Sequence, residues 1–341
     1  MKILLDAMGG DNAPHEIVRG GVQATQAYGV EVALVGRGEE ILAVLKELGH
    51  DDLPPGVTVS HAEQVVEMTD NPATSSRDKP DSSMNVGIRM LKNGEGDGFV
   101  SAGNTGALLA AGIFGVGRIK GIKRAALAPV VPTKAGGALL IDCGANLECK
   151  PEYLLQFAYM GSLYAQTVLK KERPRVGLLN IGAEETKGTA LQKEVYPLLT
   201  AAGKAGKIHF TGNVEGRDVA FGACDVVVAD GYSGNIFLKT MEGVGLYFAD
   251  MLKEMFYKSA TTKLAALLCK DGIRKFKKTL DYSEVGGSPL LGLQKPVIKA
   301  HGSSNAKAIQ NAVRQAKEFA EGQIIESIVS NIDAMKVKTD A

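Results

Sequence analysis

The chain is short of the features that most quickly betray a function. It has four cysteines in 341 residues, Cys143, Cys149, Cys224 and Cys269, and no two form a C-x-x-C pair. No cysteine–histidine cluster has zinc spacing, so a zinc module or a disulfide scaffold is excluded as an organising device. The thiols read as reduced and idle, as in a cytosolic protein. Charge of one sign is also missing. The net charge is +1, so bulk electrostatics names no partner and does not call for nucleic acid. No apolar run reaches the ~18 residues needed to span a bilayer. Instead of a signal peptide, Lys2-Ile3-Leu4-Leu5-Asp6 reads as a strand from the outset. There is no Walker A lysine motif and no G-x-S-x-G elbow. Gly36-Arg37-Gly38 begins like a dinucleotide fingerprint, but position 41 is isoleucine.

What is present is an apolar chain rich in turns. It is 45% hydrophobic, enough for a packed core, and holds 41 glycines, above the usual ~7%. The glycines recur after short apolar runs. These runs are Ile3–Leu5, Val32–Val35, Val57–Val59, Gly98–Val100, Leu139–Ile141, Val176–Leu179, Ile208–Phe210, Val226–Ala229 and Val297–Ile298. Near-continuous apolar character predicts parallel strands buried on both faces. Helical periodicity fills several gaps, at His15–Tyr28, Glu39–Leu48 and Glu152–Lys171. Strand, turn and helix in repetition predict a three-layer α/β/α fold with a mostly parallel sheet. No Pro/Ser/Gly-rich linker divides the chain. One domain is expected over 1–330, with a helical insertion at 236–281 and a frayed tail at 331–341.

In open parallel sheets, ligands bind beyond the carboxyl ends of the strands. Seven turns there are rich in glycine, amides and hydroxyls: 6–14, 101–106, 142–146, 180–188, 211–218, 230–235 and 300–305. Glycine lets a ligand approach backbone N–H groups, and a helix start adds partial positive charge. Asn104 and Thr105 precede the helical run Ala107–Ile113, which predicts an anion-binding helix start. The same residue types also serve as ordinary caps and turn formers. Asp142 and Asp225 fit that second role. Of five histidines, His301 alone lies in a Gly/Ser-rich turn after a strand, with His15 a distant second.

In order along the chain, DAMGGDNAP (Asp6–Pro14), SAGNTG (Ser101–Gly106), DCGAN (Asp142–Asn146), VGLLNIGAEETKG (Val176–Gly188), GNVEGRD (Gly212–Asp218), DGYSGNIFLK (Asp230–Lys239) and KAHGSSN (Lys299–Asn305) resemble the bacterial phosphate acyltransferases of phospholipid synthesis. The likeness runs from Lys2 to about Lys317. It departs at Cys143, where that family often has another residue, which argues against a catalytic thiol. The resemblance implies transfer of a fatty acyl group from acyl carrier protein to inorganic phosphate, giving acyl phosphate. It implies a membrane glycerol-3-phosphate acyltransferase as the consumer of that product. It further implies an α/β/α fold related to isocitrate and isopropylmalate dehydrogenases and to phosphotransacetylase. It implies a homodimer without metal or organic cofactor, cytoplasmic and peripherally associated with the membrane.

Phosphate is the nucleophile in such a reaction, so the chain has only to hold a dianion, align it and stabilise the thioester oxyanion. On that basis Asp6, Gly9, Gly10, Asn104, Thr105, Gly106 and Ser303 are expected to line the phosphate or substrate site. Lys187, Asn235 and His301 are expected to carry the chemistry. Lys187 also fits a solvated turn lysine, Asn235 a helix cap, and Asp6 a residue that positions its own turn. Lys239 and Arg217 are lesser candidates.

The segment Met251–Leu280 carries eight basic and two acidic residues, a net +6 that leaves −5 for the remainder. Leu264, Leu267 and Leu268, then Ile273, Phe276 and Leu280, recur at helical spacing on either side of Gly272. They predict a helical hairpin with an apolar face and a basic rim that includes Lys275, Lys277 and Lys278. It suits a second subunit, the acidic acyl carrier protein, an anionic membrane, or plain solvent.

Overall fold

The structure is a computed structural model that describes residues 1–280 and 286–336. The side chains of Lys275, Lys277, Lys278 and Leu280, position 281 and the end of the tail (337–341) lie outside the described residues.

All nine apolar runs form strands, and among the described residues three further strands join them. They divide between two sheets, where a single one was expected. The seven-stranded sheet has the order β3 (Val57–His61), β2 (Glu31–Gly36), β1 (Lys2–Asp6), β4 (Gly98–Ser101), β12 (Val297–Ala300), β11 (Gly287–Leu291), β5 (Ala126–Leu127). The first five are parallel, and β11 runs antiparallel to both its neighbours. The five-stranded sheet has the order β6 (Val130–Val131), β7 (Ala138–Ile141), β10 (Val226–Val228), β8 (Arg175–Asn180), β9 (His209–Glu215), parallel except for β6. The chain leaves one sheet and enters the other at Ala128-Pro129, between β5 and β6. Two-residue strands, and a strand that opens Gly287-Ser288-Pro289 and lies between β12 and β5, carry too little apolar pattern to be seen in a sequence.

The central strands are buried throughout. Ile3, Leu4 and Leu5 of β1 and Val226, Val227 and Val228 of β10 have no exposed surface. Each such side chain contributes about 1.5–3 kcal/mol. Helix α1 (His15–Tyr28) stops at Gly29, which takes the left-handed conformation (φ 62°) and donates its N–H to Thr25. It packs on α12 (Ala306–Glu321), so the two helices that follow β1 and β12 lie side by side. Helix α5 (Thr105–Gly115) follows β4, and α6 (Pro151–Thr167) covers the second sheet.

The segment expected as an insertion, 236–281, runs through three helices as far as Leu280. α9 (Gly231–Tyr257) is a single helix of 27 residues, and α10 (Ala260–Leu268) and α11 (Lys270–Leu280) each touch it. In α9 only Gly231 and Gly234 are buried. Beyond its first turn the helix leaves large apolar side chains exposed, among them Leu246, Tyr247, Phe248, Met251, Met255 and Tyr257. Among the described residues no helix is long and apolar enough to cross a membrane.

Candidate active site

Three of the seven polar turns form one unit at the carboxyl ends of neighbouring strands β1, β4 and β12. Asp6, at the end of β1, is buried beneath its own turn. Its Oδ2 accepts from the Ser101 hydroxyl at 2.6 Å, and its Oδ1 from the Met8 N–H at 3.3 Å. The Ser101 oxygen in turn accepts from the Gly103 N–H at 3.1 Å. Burial raises the Asp6 carboxyl above its ordinary value, and hydrogen bonds from Ser101, Ser83, Met8 and Gly9 counter that rise. Asp6 therefore shapes the turn from below, and its side chain faces no solvent. Gly9 lies against it, since a Cβ there would fall 2.5 Å from Asp6 Oδ2. Gly10 adopts φ 109°, and a Cβ there would stand 2.9 Å from the Ala102 Cβ and 3.0 Å from the Gly302 carbonyl. The third turn is sewn on by Asp11 N–H to Gly302 O at 2.8 Å and by the Asn12 amide to the Ser303 and Ser304 carbonyls.

Asn104 caps α5. Its Oδ1 accepts from the Ala107 N–H at 3.0 Å, while its Nδ2 donates to the carbonyls of Met68 (2.9 Å) and Asp70 (3.4 Å). The amide is thus fully engaged in setting the helix and holding the loop that follows β3. The N–H groups of Thr105 and Gly106, in the first turn of α5, have no partner among the described residues. Thr105 is exposed. These two N–H groups are the donors that the turn leaves unengaged. At α12 the corresponding position is occupied, since Ala306 N–H donates to Glu16 at 2.6 Å.

The second sheet faces this unit through α9. Asp142, fully buried at the end of β7, accepts from the N–H groups of Leu127, Cys143, Ala145 and Asn146 and from the Asn146 amide. It ties β5 of one sheet to the β7 turn of the other. Burial nevertheless raises its carboxyl. The start of α9 lies directly on this turn. Asp230 caps the helix by accepting from Ser233 N–H at 2.8 Å. A Cβ at Gly234 would fall 2.0 Å from the Asp142 carbonyl oxygen. Exposed Asn235 stands beside Gly144, whose Cβ would come 3.7 Å from the Asn235 Cγ. One turn further, Lys239 pairs with Glu242 at 2.7 Å.

His301 joins the two halves. Its Nδ1 is 2.9 Å from the Ser303 hydroxyl and accepts the Ser303 N–H at 3.3 Å, which leaves the ring proton on Nε2. Burial lowers its pKa first, and the Lys239 charge lowers it further. Glu242 and Asp11 act in the opposite direction. The imidazole is therefore neutral at pH 7. Cys143 is no rival nucleophile, because burial and then Asp142 push its thiol well above the usual range.

The structure brings Asp6, Gly9, Gly10, Asn104, Thr105, Gly106, His301 and Ser303 together, with Asn235 on the α9 side. Lys187 is placed differently. It is exposed, and its contacts lie within the β8 turn: its N–H donates to Glu184 and its carbonyl accepts from Asn180. Arg217 pairs with Glu215 and Asp218 near its own turn. Sequence reasoning gave no role to Ser101, Glu242 or Lys299. Lys299 lies buried at the end of β12. Among the described residues no group of His, Cys, Asp or Glu is placed to hold a metal ion.

The family model described as "Fatty acid synthesis protein" matches residues 1–327. The chain belongs to that family. Its relatives include the phosphate acyltransferase of Thermoanaerobacterium thermosaccharolyticum, 48% identical over 98% of this chain and 97% of the relative. The phosphate acyltransferase of Thermoanaerobacter pseudethanolicus is 47% identical over 98% of each. The chain is an enzyme of the acyltransferase class. Its fold is similar to that of a phosphotransacetylase from Streptococcus pyogenes, with a TM-score of 0.63, 17% identity and coverage of 96% and 94% of the two chains.

Proposed function

We propose that this family member transfers a fatty acyl group from the thioester of acyl carrier protein to inorganic phosphate, giving acyl phosphate for phospholipid synthesis. The observation that carries the reading is the pair of unpartnered N–H groups at Thr105 and Gly106, at the same strand ends as the His301–Ser303 pair. An anion cradle beside a neutral imidazole suits a reaction whose nucleophile is phosphate itself.

In this reading the first turn of α5 holds phosphate, with Thr105 adding its hydroxyl. Asn235 donates to the thioester carbonyl as it becomes an oxyanion, and one such donor lowers the barrier by roughly 2.7–4 kcal/mol. Aligning the two reactants lowers it by about 7–11 kcal/mol at most. Lys187 neutralises charge on phosphate or oxyanion when its loop folds inward. A phosphate oxygen attacks the carbonyl carbon and the C–S bond breaks. The phosphate proton passes through the Ser303 hydroxyl to His301 Nδ1, while Nε2–H protonates the leaving thiolate. HPO₄²⁻ and thioester thus give acyl phosphate dianion and free thiol.

The exposed apolar side chains of α9 and α10 and the exposed cations Lys253, Lys258, Lys263, Lys270 and Arg274 extend the reading to partners. We assign the α9 face to a second copy of the chain and the lysines to the acidic carrier protein. The Leu264, Leu267 and Leu268 end is assigned to an anionic membrane surface. The enzyme is then cytoplasmic and peripherally bound, and could hand its product to a membrane glycerol-3-phosphate acyltransferase. Sedimentation and vesicle flotation, with and without charge reversal at these lysines, test those partners.

Trapping the product as a hydroxamate decides the reaction. Phosphate-dependent hydroxamate from acyl carrier protein thioester is expected. Formation from acyl-coenzyme A alone points instead to a phosphotransacetylase-like donor. No phosphate-dependent product from either removes the reading.

A further inference from the structure

Among the described residues Lys299 is the one buried lysine or arginine. Its strand, β12, lies parallel to β4 with Lys299 opposite Ser101. From there the side chain crosses to the β4 turn. Its Nζ donates to the Ala102 carbonyl at 3.2 Å and to the Ala300 carbonyl. The ammonium thus joins the two turns whose outer faces carry Thr105, Gly106 and His301. No carboxylate among the described residues lies within ion-pair distance of it. The charges that act on it are Asp6 and Asp11 from the β1 turn and Lys239 from α9, and its own charge in turn lowers the pKa of the titratable His301. Asp6 is already engaged by Ser101 and Met8.

A buried ammonium without a direct counter-ion costs stability, and methionine would fill the same space without that cost. We propose that Lys299 is a positioning residue which holds the Ala102–Gly106 turn open for an anion and supplies, from beneath, the positive charge that a phosphate dianion requires. This rests on the turn being a phosphate site. Burial lowers the ammonium to about 8, helped by Lys239 and opposed by Asp6 and Asp11. Its charge is therefore lost just above neutral pH, where phosphate remains a dianion.

The test is calorimetric binding of inorganic phosphate to the full chain at constant ionic strength, from about pH 7.5 to about pH 9.5. Wild-type affinity is expected to fall roughly tenfold over that range as Lys299 deprotonates. Lys299→Met should bind weakly with a flat profile, and Lys299→Arg tightly with a flat profile. A flat wild-type profile overturns the inference, as does a Lys299→Arg profile that falls with the wild type. Phosphate that fails to bind at any pH overturns it too. If Lys299→Met does not fold, the wild type and Lys299→Arg still decide. A Lys299-dependent binding profile without acyl phosphate formation removes the proposed reaction and leaves the anion site standing.

Discussion

The Ser101 hydroxyl donates to the Asp6 carboxylate at 2.6 Å, across 95 positions of sequence, with both side chains buried. The same oxygen accepts the Gly103 N–H, so one hydroxyl fixes both the first turn and the β4 turn. Ser101→Ala leaves a buried carboxylate short of a donor, which costs about 1.5–3 kcal/mol. Burial already raises the Asp6 pKa, so the folded chain holds that proton more tightly than the unfolded chain. The stabilising effect of that proton is full below pH 3.8 and is lost as pH rises through the folded value. Ser101→Ala raises the folded value further. Denaturation midpoints should therefore fall more at neutral pH than at mildly acid pH. Equal loss at both would mean that Asp6 is not the group affected.

Asn104→Ala should separate two duties. Loss of the cap costs roughly 1 kcal/mol, and loss of the amide frees the loop around Met68 and Asp70. Asn104→Ser keeps a capping oxygen but no amide. It is expected to recover most of the stability while leaving that loop open to limited proteolysis and the phosphate KM raised. A serine variant as resistant to protease as the wild type would show that the loop is held by other contacts.

The strands and the helix start at Asn104 were legible because each is a local pattern. Apolar runs announce buried strands, and an amide before a helical run announces a cap. Lys299 was not legible. A lysine after Val297-Ile298 reads as the solvated end of a strand, and only the pairing of β12 with β4 turns it inward. Two sheets were missed for a related reason. The crossing is made by β5 and β6, of two residues each, and by β11, whose Gly287-Ser288-Pro289 reads as a loop. Lys187 shows the converse. Its turn has the composition of a site, yet its contacts stay inside that turn.

Gly234 has no room for a methyl group, since its Cβ would lie 2.0 Å from the Asp142 carbonyl. Gly234→Ala must therefore lift α9 off the β7 turn and displace Asn235 and Lys239. Turnover should fall by roughly tenfold or more, equivalent to ~1.4 kcal/mol. Gly243, in the same helix, has nothing within 4 Å. Gly243→Ala should instead stabilise the helix by about 0.5–1 kcal/mol and leave turnover intact. Equal effects at the two positions would dissociate α9 placement from activity.

Asn235→Ala and Lys187→Ala each test a charge-stabilising role. With folding intact, each should reduce turnover by roughly tenfold or more. Asn235 already stands at the β7 turn, so its loss should act on kcat. Lys187 is assigned to charge on the bound phosphate, so its loss should also raise the phosphate KM. Near-wild-type rates would remove either residue from the mechanism.

His301 offers the sharpest pH test, because opposite charges act on it from one helix. Burial and then Lys239 lower its pKa, while Glu242 raises it. The folded chain resists protonating this ring, so the acid limb of kcat/KM should lie below pH 6.5. The linked stability term falls as pH drops below that unfolded value. Lys239→Met removes the repulsion and leaves the Glu242 carboxylate unpaired, so the limb should move up. Glu242→Gln leaves the Lys239 ammonium unpaired, so the limb should move down. A general loss of structure would shift both variants the same way. A limb that stays put in both excludes His301 as the titrating group and ends its place in the proton relay.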